Sequence, residues 1–227
     1  RLEAFKKLWS RANTIEAQCG LVREVAMRFV DSNTSAEHKL CLAVAMGAAA
    51  RRLSTAHLKQ GDIAEWVQRT WSELESLLIS PSVDAALKVA AAAALGQFCE
   101  NMPSHFRTRA PALLQSLEGL VKPEAHNSVA VTGAVLSLLR TVAGTAKEAF
   151  EPFRPRLLAA DRLMPLLVQL AKELTRDGSV AYVPAAVVDA CELLGYLVRL
   201  PSVLLVLTGA CAPDRGERGA AICFPLC

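Results

Sequence analysis

The sequence predicts an all-helical fold built from repeated helical pairs, and three observations carry that expectation. Ala, Leu and Val dominate an apolar fraction of 52%, while aromatic residues make up only 5%. Ala and Leu are strong helix formers, and small side chains let helix axes approach closely. Apolar residues also recur at helical spacing, whereas β-branched runs of alternating polarity are scarce, which argues against a sheet. Finally, the helical stripes come in pairs separated by short breakers, and the pairing repeats along the chain.

The clearest pair lies between residues 63 and 98. Ile63, Trp66, Val67, Thr70, Trp71, Leu74, Leu77 and Leu78 form one stripe, and Val83, Ala86, Leu87, Ala90, Ala91, Ala94, Leu95 and Phe98 form the next. Both follow the i, i+3, i+4, i+7 rule of a 3.6-residue period. Ser80-Pro81-Ser82 separates them as a breaker, with Ser82 the expected N-cap. Ala90, Ala91 and Ala94 are expected to be buried between helices.

The same unit recurs on either side. Ile15 to Asp31 and Ser35 to Leu53 form the first pair, joined through Ser32-Asn33-Thr34. His105 to Val121 and Asn127 to Ala143 form the third, joined through Lys122-Pro123-Glu124. Asp161 to Thr175 and Val183 to Arg199 form the fourth, joined through Asp177-Gly178-Ser179. Second helices then begin near residues 35, 82, 127 and 183, in steps of 47, 45 and 56. The long last step holds the insert 144–160, where Pro152 and Pro155 cannot sit inside a regular helix. Residues 1–13, with Leu2, Phe5, Leu8 and Trp9 on one face, read as a leftover or capping helix. The chain opens at Arg1 with no leader-like segment, and the expectation is a piece of something longer. Pro201 ends the repeats, and residues 209–227 read as a flexible tail containing Gly, Pro and Cys.

At this level the sequence resembles HEAT and armadillo repeat proteins, whose units recur every 40–47 residues or so. LMPLLVQLAKEL, from Leu163 to Leu174, resembles the first helix of a HEAT repeat, including an early proline at Pro165. SVDAALKVAAAAALGQF, from Ser82 to Phe98, is similar to the second, and APALLQSLEGL, from Ala110 to Leu120, is similar to the first. The Asp and Arg often found at the intra-repeat turn of that family are mostly absent here, with Lys88 a possible stand-in. The resemblance implies a right-handed α-solenoid of about four HEAT-like hairpins over residues 14–208. It also implies stacking against further repeats of the parent chain, with second helices lining the concave side.

Motifs for chemistry are missing from the sequence. His38, His57, His105 and His126 form no HExxH and share no i, i+4 spacing with another His or Cys, so each is assigned a surface or helix-end role. GxGxxG, GxxxxGK[ST] and GxSxG do not occur in their required contexts. The reading is therefore of a non-enzyme with no cofactor and no metal. Cys223 and Cys227 frame Phe224-Pro225-Leu226 at the end of the chain, which is not a prenylation box. The most apolar stretch, residues 185–207, is interrupted by Asp189, Glu192 and Arg199, so no membrane span is expected. Seven cysteines without a CxxC pair, several on apolar stripes, point to a reducing compartment, cytoplasm or nucleus.

The function expected is a protein–protein interaction scaffold. Candidate partner-binding residues are the second-helix cations Lys39, Arg51, Arg52, Lys88, Arg140 and Arg199, with His38 beside them, forming a discontinuous basic ladder for acidic peptide segments. The acidic residues around Glu65 and Glu73 belong to an opposite, first-helix face in this scheme. The alternative is a transport-receptor or chaperone-like solenoid cradling a folded client. A more distant one is a HEAT-like nucleic-acid-binding or DNA glycosylase-type enzyme using Trp66 with Asp62. A net charge of +3 and an acidic helix around Trp66 argue against nucleic acid as the partner.

Overall fold

The computed structural model describes residues 2–121 and 127–157, together with Pro165, Asp189, Glu192 and Leu193. Among these residues there are eleven helices and no strand. The fourth pair, apart from those four residues, and the tail from residue 209 lie outside the described residues.

Seven helices of ten residues or more carry the architecture among the described residues. α1 spans Leu2–Arg11 and α2 Ile15–Val30, followed by α3 over Ala36–Ala50. A short α4, Thr55–Leu58, leads into α5, Ile63–Ile79, and α6, Ala85–Asn101. A second short helix, α7 at Pro103–Phe106, precedes α8 at Ala110–Leu120 and α9 at Val129–Thr145. The insert after α9 holds two further single turns, α10 at Lys147–Phe150 and α11 at Arg154–Leu157. Pro155 is the second residue of α11, in a first turn where the missing amide proton is not needed.

Packing sorts these helices into two layers. α2 packs on α5 and α5 on α8, while α3 packs on α6 and α6 on α9. Within each pair, α2 lies on α3, α5 on α6 and α8 on α9. α6 therefore has α3 on one flank, α9 on the other and α5 beneath. It is accordingly apolar nearly all round: Ala90, Ala91 and Ala94 are buried as expected, and so are Lys88, Ala92, Gly96 and Cys99 from outside the stripe. α1 packs on α3 and α2. Phe5 is buried and stands 5.9 Å from Trp9, but Leu8 is half exposed, so the packed face of α1 is narrower than the sequence implied.

Helix ends explain several boundaries. Thr14, Ser35 and Ser128 accept hydrogen bonds from the backbone amides of Ala17, His38 and Val131 and cap α2, α3 and α9. The cap of α6 is Asp84, which accepts from the Ala86 amide at 2.9 Å, and not Ser82. A carboxylate at a helix N-terminus gains from the macrodipole as well as from the hydrogen bond, which favours Asp84 over a serine two residues earlier. The predicted helix from His105 to Val121 is two helices, broken at Arg107–Arg109. Pro103 and Pro111 sit in the first turns of α7 and α8, where proline starts a helix readily.

His57 takes the helix-end part of its assignment, as the third residue of α4, and it is buried there, only 7% exposed. Its Nδ1 accepts from the Ser54 amide at 3.1 Å, which fixes the tautomer so that Nε2 donates to Gln18 Oε1 at 2.7 Å. The imidazole thus clips the α3–α4 turn to α2. His38 holds the matching position in α3, where its Nδ1 lies 2.9 Å from Ser35 Oγ, but on the exposed surface.

Candidate partner-binding surface

The second-helix layer has a regular internal register. Gly47 is the twelfth residue of α3, and a Cβ there would lie 3.3 Å from Ala94 Cα, the tenth residue of α6. Gly96 is the twelfth residue of α6, and its Cβ would meet Leu138 Cδ1, in the tenth residue of α9, at 4.0 Å. The same positional contact is thus made twice, with glycine as the small partner both times. Arg140 is the twelfth residue of α9. Where its counterparts let the next helix come close, Arg140 reaches Asp189 and Glu192, each at 2.9 Å. The Nε–Asp189 contact is charge attraction without hydrogen-bond geometry, while Nη1 donates to Glu192. Leu193 is buried in the same core.

Five of the six candidate cations lie among the described residues, and they differ in exposure and in pairing. Lys39 is 13% exposed and pairs with Glu73 of α5, crossing from the second-helix layer to the first. The basic and acidic faces separated in the sequence analysis therefore meet at this bridge. Lys88 is the equivalent fourth residue of α6 and is buried, with no ion pair among the described residues. Arg140 is spent on the carboxylates of residues 189 and 192. Arg51 donates to Gln97 and ties α3 to α6, and Arg52 Nη1 donates to the Ala48 carbonyl at 2.9 Å. Both remain exposed at the C-terminal end of α3, where the helix dipole favours positive charge. Lys39 is twelve residues before Arg51 along α3, about 18 Å away at 1.5 Å per residue. Arg199 lies outside the described residues.

Between these cations the solvent-reaching positions are small. Val44 and Ala48 of α3, Ala86 and Ala93 of α6, and Ala130 and Ala134 of α9 are exposed or half-buried, at four- and seven-residue spacings on their helices. Glu37, Glu100, Arg51 and Arg52 are exposed on the same helices or at their ends.

The first-helix layer carries several internal ion pairs, with Met27 and Ile79 exposed on the same helices. Arg23 donates to Asp62 Oδ1 from Nη2 at 2.6 Å and from Nε at 2.9 Å, while Trp66 Nε1 donates to Oδ2 at 2.7 Å. Hydrogen bonding to Arg23 holds the Asp62 carboxyl below its ordinary value. The Arg69 guanidinium lies 5.0 Å over the Trp66 ring and also pairs with Glu65. Asp62 and Trp66 do share one face, as the spacing implied, but both carboxylate oxygens already accept hydrogen bonds. Trp71 is a core residue, 5.2 Å from Phe106 and 6.2 Å from Phe98.

The described cysteines are thiols packed as small hydrophobes. Cys19 and Cys99 are buried, and desolvation raises the pKa of each. Among the described residues, no group of three His, Cys, Asp or Glu side chains could hold a metal ion, and no helix is long and apolar enough to cross a membrane. Comparison with protein-family models, with curated proteins and with solved structures gives no match to this chain.

Proposed function

We propose that this chain is a HEAT-like right-handed α-solenoid segment acting as a non-enzymatic scaffold that binds protein partners along its second-helix face. The repeated twelfth-to-tenth contact between neighbouring second helices carries this reading. Units stacked in a constant register make an extended surface from the same positions of successive repeats, and such surfaces suit elongated partners. Arg140 occupies the place where a further unit would dock, in keeping with stacking beyond α9. Among the described residues Arg51 and Arg52 are the second-helix cations left exposed, so they would steer an acidic segment onto the small-residue surface beside them.

A photo-crosslinking amino acid at Val44, Ala93 or Ala134 tests the proposal against the same probe at Met27 and Ser76 on the first-helix side. Partner crosslinks are expected from the first set, and they should weaken at low salt when Arg51 and Arg52 are both changed to Glu, since screening removes long-range steering. Crosslinks arising only from Met27 and Ser76 would place the working surface on the opposite layer and end the proposal.

A further inference from the structure

A cleft of about 330 Å³ opens between α5 and the turn that carries the chain from α6 through α7 into α8. Its apolar wall is formed by Trp71, Phe98, Met102 and Phe106. Its mouth carries Gln68, His105 and Arg109. The size is at the lower end for small-ligand sites, and the lining, aromatic within and polar at the entrance, matches their usual composition.

Arg109 distinguishes this cleft from a packing defect. Its only side-chain bond among the described residues is a long one, 3.3 Å, to Ser72 Oγ, and no carboxylate neutralises it. The acids of the adjoining groove, Glu65 and Glu73, are paired with Arg69 and Lys39.

We propose that this cleft binds a compact aromatic carboxylate, with the ring against the wall of Trp71, Met102 and Phe106 and the charge towards Arg109. The aromatic wall selects a flat apolar group through edge and offset ring contacts. The unneutralised guanidinium selects an anion over its neutral isostere. The site lies against α5 and α8, away from the second-helix face, and does not depend on the scaffold reading.

Hydrocinnamate is a suitable probe, with hydrocinnamide as its uncharged counterpart. Binding is followed by the tryptophan indole resonances in a proton–nitrogen correlation spectrum. Trp9→Phe and Trp66→Phe assign the Trp71 signal by elimination without touching the cleft. Hydrocinnamate is expected to shift that signal saturably while leaving those of Trp9 and Trp66 in place. Hydrocinnamide, or Arg109→Gln with hydrocinnamate, should bind about three- to tenfold more weakly, the range of a partly solvated charge-assisted hydrogen bond. An unmoved Trp71 signal up to the solubility limit overturns the site. Equal binding of acid and amide, or no loss in Arg109→Gln, overturns its selectivity for a carboxylate.

Discussion

Replacing Gly47 and, separately, Gly96 by alanine makes the same chemical change at the same position of two neighbouring helices. Each substitution adds helix propensity, about 1 kcal/mol for Gly to Ala in a helix interior. At Gly96 the new Cβ meets only the tip of Leu138, at an ordinary 4.0 Å, so the gain should be kept. At Gly47 it falls 3.3 Å from Ala94 Cα, on the backbone of a helix that α5 and α9 hold from two other sides. Ala94 can retreat only by moving α6, and overpacking of this kind costs about 1–3 kcal/mol. The net expectation is a loss of up to about 2 kcal/mol for Gly47→Ala against a gain of about 1 kcal/mol for Gly96→Ala. For a chain of this size each kcal/mol moves the melting midpoint by about 2–4 °C, so calorimetry should separate the variants clearly. A Gly47→Ala protein that melts as high as Gly96→Ala would mean that α6 yields freely, refuting the picture of a helix locked on three sides.

Two further outcomes follow from the paired charges. A double-mutant cycle of Lys39→Met and Glu73→Gln should give a coupling of about 1–2 kcal/mol in urea unfolding, between the limits for exposed and buried pairs, because both side chains are largely shielded. A coupling near zero would return Lys39 to the pool of available surface cations. The depressed Asp62 carboxyl stabilises the fold above its ordinary unfolded pKa, about 4, and that contribution is lost as pH falls through the lower folded value. Arg23→Met should therefore raise the Asp62 titration midpoint seen by carboxyl NMR, and an unchanged midpoint would remove Arg23 as the main cause.

Periodicity made the long helices of the first three pairs legible in the sequence because burial of one face imposes a 3.6-residue repeat on any packed helix. The Ala-rich stripe of α6 gave its depth for the same reason. Local chemistry that looks ambiguous in one dimension was read less well: Ser82 and Asp84 both suit a cap, and Pro103 and Pro111 mark starts that a continuous apolar pattern conceals. The sequence by itself determined that this protein is helical and that its helices come in pairs. Which charges are free was decided only by tertiary structure. Lys39 meets Glu73 from 34 residues away and Arg140 meets Glu192 from 52. The cleft at Trp71 likewise exists only because α7 turns Phe106 back against α5. Helical period is a property of neighbours along the chain, whereas charge pairing and cavity shape depend on which distant helices meet, and no local pattern encodes that.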